Sequence, residues 1–170
     1  MEVFKKIKEK ELEENPFKKI GKDWMLVTAK NGDQVNTMTA SWGGLGVMWN
    51  KNVAFIVIRP QRYTKKFVDA SDSFSLSFYD KKYKKTLSYL GSVSGRDENK
   101  IKKAHFTLAY DADTPFFTEA SLVITCKKLF AMPFEEEFFI DKSIVSKHYP
   151  EKDYHRMYIG EIVNVLIKQK

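Results

Sequence analysis

Cys126 is the only cysteine among 170 residues, so no disulfide can form within the chain and a small disulfide-stapled secreted fold is excluded. It follows the apolar stretch Leu122-Val123-Ile124-Thr125 and reads as a small buried hydrophobe in a protein of the reducing cytoplasm. Long apolar runs are missing too. The longest clean one, Val53 to Ile58, is far short of the roughly 20 residues of a membrane helix, so no membrane association is expected. Met1-Glu2-Val3-Phe4-Lys5-Lys6 leads into mixed charge rather than an apolar segment, so no secretory leader is expected. There is no internal repeat and no Pro/Gly/Ser linker. A single domain over residues 1–170, with room for one sizeable core, is the expectation.

Missing motifs narrow the chemistry. Gly43-Gly44-Leu45-Gly46 lacks the third glycine of a dinucleotide fingerprint, and no G-K-[ST] phosphate loop is present. Gly91-Ser92-Val93-Ser94-Gly95 is not the G-x-S-x-G elbow of serine hydrolases. His105, His148 and His155 are dispersed, without an HExxH or CxxC partner pattern, so no metal is assigned. An enzyme built from this chain would take its chemistry from an organic cofactor.

Aromatic residues are plentiful (13 Phe, 8 Tyr, 3 Trp), which suits a pleated β core and equally a planar ligand. The net charge of +7 would suit nucleic acid or a phosphorylated small ligand, and by itself decides between neither. Much of the lysine is mixed with acid, as in Glu9-Lys10-Glu11-Leu12-Glu13-Glu14, which a solvated surface explains as well. Lys81-Lys82-Tyr83-Lys84-Lys85 is the only basic stretch with an interleaved aromatic. It reads as a wet helix face, and no nucleic-acid partner is expected.

The spacing predicts a surface helix over residues 3–14, ended by Asn15-Pro16. It predicts a hairpin of Trp24–Ala29 and Val35–Trp42 around the Asn31-Gly32 turn, and a buried strand Val53–Ile58 stopped by Arg59-Pro60. Thr64 is expected to cap a helix, and Phe74–Phe78 to be a strand with one apolar face. Asp80 is expected to cap a helix carrying Tyr83, Leu87 and Leu90 that Gly91 ends. A loop follows to Asp97, then a short helix through Lys100–Lys103 and long strands at Ala120–Phe130 and Met157–Lys168. Many strands with a few short helices predict a mainly β or barrel fold rather than a doubly wound sheet.

Three segments are more pointed than a fold requires. In Asn36-Thr37-Met38-Thr39-Ala40-Ser41-Trp42, strand alternation puts Thr37, Thr39 and Ser41 on one face, leaving the backbone open to a flat ligand. Threonine also simply suits strands. Arg59-Pro60-Gln61-Arg62-Tyr63-Thr64 brings two guanidinium groups to a helix start behind a rigid proline, an arrangement that binds phosphate; a solvated turn is the plainer alternative. Ser94-Gly95-Arg96-Asp97, with Lys100 a turn later, could form a further anion-receiving loop, as many ordinary loops could.

Taken in order with Asn15-Pro16-Phe17, His155 and Tyr158-Ile159-Gly160-Glu161-Ile162, these segments resemble the flavin-reductase-like family of FMN-binding split-barrel proteins across nearly the whole chain. The resemblance implies a mainly β split barrel with short helices, a homodimer with FMN near the subunit interface, and NADH or NADPH as co-substrate. It lays Asn36, Thr37, Met38, Thr39, Ala40, Ser41 and Trp42 along the isoalloxazine ring. It gives the phosphate to Arg59, Arg62 and Thr64, flanked by Pro60 and Tyr63, and closes the site with Ser94, Gly95, Arg96 and Lys100. Asn99 departs from relatives that carry an acid before the lysine. His155 falls where relatives hold a histidine near the flavin or nicotinamide; a structural histidine at a strand start is the alternative. The implied activity is flavin reduction by NAD(P)H, feeding a downstream flavin- or electron-accepting enzyme. The alternative is an FMN electron carrier or redox sensor with no nucleotide turnover of its own.

Overall fold

The computed structural model describes residues 4–169. In chain order its elements are β1 (Phe4–Ile7), α1 (Pro16–Lys18), β2 (Met25–Asn31), β3 (Gln34–Ala40), β4 (Gly43–Met48), β5 (Lys51–Ile58), α2 (Thr64–Ala70) and β6 (Ser73–Phe78). Then come α3 (Lys84–Ser92), α4 (Lys100–Lys103), β7 (Leu108–Asp111), β8 (Thr114–Phe117), β9 (Leu122–Pro133), α5 (Lys142–His148) and β10 (Arg156–Lys168).

One antiparallel sheet carries the fold, in the order β3-β2-β6-β9-β10-β5-β4, with β1 added to β10. Its two outer strands, β3 and β4, are consecutive in the chain, with only Ser41 and Trp42 between them. A flat sheet cannot bring its opposite edges within a two-residue link. This one therefore curls into a barrel that stays split along the β3–β4 seam. The turn into β4 demands glycine: Gly43 has φ +148°, and a Cβ there would stand 2.6 Å from the Phe55 carbonyl oxygen.

Alternation decides what the barrel encloses. Met38, Ile56, Ile58, Phe74, Leu76, Ile124 and Tyr158 form a common buried cluster. A second cluster lies on the other face, where Leu87 and Leu90 of α3 and Phe116 and Phe117 of β8 meet Leu26, Val123 and Leu166. Because this second layer covers β6, its serine face is buried as well, and Ser75 Oγ donates to the Pro115 carbonyl at 2.6 Å. Phe74–Phe78 thus has an apolar face as expected, but no wet one.

Several local expectations give way to tertiary structure. Residues 4–7 of the expected helix form β1, paired from Phe4↔Lys168 to Ile7↔Val165; Val3 lies outside the described residues, as do residues 1, 2 and 170. β5 covers β10 only from Arg156 to Glu161, so the rest of that edge has backbone groups to satisfy, and these outweigh the helical charge pattern. The second hairpin strand stops at Ala40, where the seam begins. Asp80 precedes a 3-10 turn over Lys81–Tyr83 and makes no side-chain cap, with Tyr83 one residue before α3. Gly91 lies inside α3, where a Cβ would press to 3.0 Å from Thr39 Cβ; it permits close packing rather than ending the helix.

Asp111 ties the β7–β8 hairpin to the barrel. Its carboxylate accepts from Thr125 Oγ1 at 2.8 Å and Asn164 Nδ2 at 2.7 Å, and pairs with Lys6 at 3.1 Å. Burial opposes its ionisation, but these donors prevail and hold the carboxyl below its ordinary value. Asp111→Ala is expected to cost about 2–4 kcal/mol, read by urea unfolding. Because the folded pKa is depressed, the contribution is present above the unfolded value of about 3.9 and is lost as pH falls through the folded one. The gap between variant and parent should therefore narrow in acid.

Candidate functional site

The split in the barrel opens into a cavity of about 310 Å³. Met38, Thr39, Ala40, Ser41 and Trp42 form one wall; Val57, Arg59, Arg62 and His155 complete it. Val57 reaches it because alternation turns Ile56 and Ile58 into the barrel and Val57 out. The Trp42 ring lies 5.0 Å from His155 and 5.5 Å from His148. His155 is buried and shares a 2.7 Å hydrogen bond between its Nδ1 and the Tyr149 hydroxyl. Burial, aided by the nearby Arg59 charge, draws its pKa down to about 4, so the imidazole is neutral at physiological pH.

Next to this cavity, sharing Met38 and Arg62 with it, is a chamber of about 130 Å³. Arg62, Arg96 and Lys100 all line it, together with Asn36, Thr64 and Ser94, and no carboxylate does. Lys100 is only 3% exposed. Its ammonium donates to the Leu90 carbonyl at 2.8 Å and the Val93 carbonyl at 3.0 Å, leaving one of its three N–H groups for a further acceptor. Burial and the Arg62 charge lower its pKa to about 8. Burial also draws Arg62 below the ordinary guanidinium value, and its Nη1 donates to the Gly91 carbonyl at 3.1 Å. Arg96 donates to the Gln61 carbonyl at 3.2 Å and stands 4.8 Å over the Tyr63 ring. Asn36 Nδ2 donates to Thr64 Oγ1 at 3.0 Å. The loop at Gly95 passes so close that a Cβ would come within 2.4 Å of Asn36 Oδ1.

Of the residues singled out in the sequence, Met38 to Trp42, Arg59, Arg62 and His155 meet at the first cavity. Asn36, Met38, Arg62, Tyr63, Thr64, Ser94, Gly95, Arg96 and Lys100 meet at the second. Thr37 and Pro60 line neither. Thr37 is fully buried, donating to the Val27 carbonyl and sharing a 2.9 Å hydrogen bond with Thr28. The Thr39 hydroxyl donates to the Leu87 carbonyl of α3 at 2.5 Å. Two of the three hydroxyls expected to form an open row are therefore committed to internal bonds, Thr37 to β2 and Thr39 to α3.

Thr64 is likewise not a cap. It is the first residue of α2, and its hydroxyl accepts from Asn36. Arg59 lines the first cavity beside Arg62 but not the chamber that Arg62 shares with Thr64. Its guanidinium pairs with Asp153 at 2.7 Å, donates to the His148 carbonyl at 2.8 Å and lies 4.9 Å from the Tyr149 ring centre. Gln61 also donates to Asp153, at 2.7 Å. Val57, Tyr149 and Asp153 escaped the sequence reading. Asp153, two residues before His155, was the only one with a local signal.

This arrangement suits a planar ring that carries a phosphate. The larger cavity offers a mixed apolar and polar wall, and the smaller one converges three cations on a space that excludes acids.

The fold agrees with solved structures of flavin-binding proteins. A flavoredoxin from Methanosarcina acetivorans superposes with a TM-score of 0.69 at 20% identity, covering 86% of this chain and 69% of that one. An FMN-binding domain of a flavin reductases-like enzyme from Shewanella baltica OS155 gives 0.71 at 17% identity, covering 98% and 78%. An FMN-binding protein from Thermus thermophilus with bound p-hydroxybenzaldehyde gives 0.67 at 23%, covering 86% and 71%. Comparison with curated protein sequences gives no match. Residues 17–170 match the flavin reductase like domain, and the chain belongs to that family.

Proposed function

We propose that this chain, a single domain over residues 1–170, binds FMN and reduces flavin with NADH or NADPH as a cytoplasmic homodimer. The observation that carries the reading is the junction of a ring-sized cavity with a chamber holding three cations and no acid. Arg62, Arg96 and Lys100 would neutralise the phosphate dianion, with Asn36, Thr64 and Ser94 offering amide and hydroxyl groups. The segment Met38–Trp42 and Val57 would flank the ring.

When bound, FMN supplies a ring that accepts hydride from the nicotinamide, so the protein needs alignment more than a side-chain acid or base. Neutral His155, fixed by Tyr149, presents a polar but uncharged edge to the ring cavity. Arg59 holds the Asp153 segment against the same wall. Trp42, 45% exposed, stands at the cavity's edge.

Exposed apolar side chains support the dimer. Val47, Met48 and Trp49 at the β4–β5 turn, with Phe130 and Met132 of β9, leave an apolar surface open to a second copy. Among the described residues no helix is long and apolar enough to cross a membrane.

Anaerobic addition of NADH or NADPH to the FMN-loaded protein is expected to bleach the flavin absorbance with at least one nucleotide. Turnover should follow when free flavin is added. Persistent colour with both nucleotides would remove the reductase reading and select electron carriage by bound FMN, for delivery to or from a partner enzyme.

A further inference from the structure

Helix α1 and the helical turn Lys19–Asp23 that continues it separate two spaces that the flavin reading leaves unused. On one side Pro16, Phe17, Ile20 and Gly21 border an apolar cavity of about 460 Å³. Its lining includes Ser41 and Trp42, which also line the ring cavity. On the other side lies a basin of about 450 Å³. Lys18, Lys19 and Lys22 line it from this segment, and Lys81 and Lys84 from the entry to α3, against two acids, Asp23 and Asp80. Leu87 lines the basin too, and its carbonyl accepts from Thr39 of the ring-cavity wall. We propose that the basin is the docking surface for an acidic protein that exchanges electrons with the flavin, an acidic loop of that partner entering among the lysines. This rests on the flavin reading above and names the chemistry of its partner.

Two of the five lysines are committed. Lys84 donates to the Lys22 and Asp23 carbonyls and stands 3.2 Å from the Trp24 ring centre, while Lys19 pairs with Glu14 at 3.3 Å. The ammonium groups of Lys18, Lys22 and Lys81 are exposed and take no partner among the described residues. Other exposed lysines without a partner, such as Lys5, Lys66 and Lys127, lie apart on β1, α2 and β9. Three unpaired like charges around one concavity repel one another, and an acidic partner relieves that repulsion on docking. Phe17, 86% exposed beside these lysines, supplies the aromatic anchor that interfaces carry within a polar rim. The concave shape suits a protruding protein loop, whereas a flat bilayer would reach only its rim. A partner seated there covers Phe17 and abuts the apolar cavity that Trp42 shares with the ring site.

The probe is a plant-type ferredoxin, a small acidic one-electron carrier, titrated by calorimetry into the flavin-free and the FMN-loaded protein. In the loaded protein, two molecules of reduced ferredoxin supply one electron each to bound FMN, and water supplies the protons. Ferredoxin is expected to bind both forms at low salt and about tenfold or more weakly at about 0.5 M salt. Combining Lys18→Glu, Lys22→Glu and Lys81→Glu should weaken binding by about tenfold or more and slow ferredoxin oxidation, with FMN affinity within about twofold. FMN affinity also reports that the variant is folded. Combining Lys5→Glu, Lys66→Glu and Lys127→Glu removes the same net charge and should leave ferredoxin affinity within about threefold. Equal weakening by the two triple variants would show net charge acting alone and overturn the basin, as would no binding by the parent at low salt. Anionic phospholipid vesicles bound by the parent and lost in the basin variant, with ferredoxin ignored by both, would assign a membrane surface and overturn the proposal. Ferredoxin binding without any FMN binding would overturn the electron exchange together with the flavin reading and leave the docking surface standing.

Discussion

Arg62→Ala is expected to weaken FMN binding by about a hundredfold while riboflavin binding changes by no more than about twofold. Arg62 borders both the ring cavity and the cation chamber, and burial increases the strength of whatever it pairs with. A charge-assisted hydrogen bond contributes about 1.5–3 kcal/mol, and each ~1.4 kcal/mol is tenfold in affinity, so one or two lost contacts span this range. Riboflavin has no phosphate and should be indifferent. The comparison that decides the assignment is Arg59→Ala. Arg59 is absent from the chamber lining and is paired with Asp153 and the His148 carbonyl. Its removal should loosen the wall that carries Tyr149 and His155, lowering riboflavin and FMN affinity alike. If Arg59→Ala were instead selective for the phosphate and Arg62→Ala were not, the chamber would be misassigned. Parallel titrations of both flavins against both variants measure this.

FMN affinity is also expected to fall as pH rises above about 8, by up to about tenfold per pH unit. Lys100 is the origin: burial first, then the charge of Arg62, lowers its pKa to about 8 in the flavin-free protein. Only the ammonium form carries charge for the phosphate. Above that pH the ligand must bring a proton with it, and affinity drops until the pKa of Lys100 in the complex is reached. Between about pH 6, where the phosphate completes its second ionisation, and pH 8 the affinity should be flat. Riboflavin should show no such fall. Lys100→Arg, which keeps its charge, should abolish the dependence even if it weakens binding overall. A pH-independent FMN Kd from neutrality to about pH 10 in the parent protein would remove Lys100 from phosphate recognition.

Much of the strand framework was legible because its period is local. The strands expected at Trp24–Ala29, Val53–Ile58, Phe74–Phe78 and in the C-terminal third all form, although β2 begins only at Met25, after Trp24 at φ +70°, and β9 only at Leu122. β1 was not, since nothing in Phe4-Lys5-Lys6-Ile7 reveals that β10 outruns β5 and has an edge to share. β4 was missed because Gly43-Gly44-Leu45-Gly46 is a poor strand by propensity. It becomes one only because its neighbour Phe55 sits on a strand with an open edge.

The site divides the same way. Charge marked Arg59, Arg62, Arg96 and Lys100 as candidates for an anion, and strand patterning marked Met38–Trp42 as a candidate wall; all of them line one of the two cavities. Which cation faces the chamber and which is tied to Asp153 does not follow from charge.

The sequence by itself determined the β-rich class and the strands whose apolar period is local, and marked candidate segments for a site, because composition and alternation act over a few neighbouring residues. The tertiary structure alone decided that the β3 and β4 edges meet at Ser41-Trp42, that Thr37 turns inward and that Lys100 is buried beside Arg62. Those outcomes depend on contacts between residues tens of positions apart, where curvature of one sheet settles which side chains share a cavity.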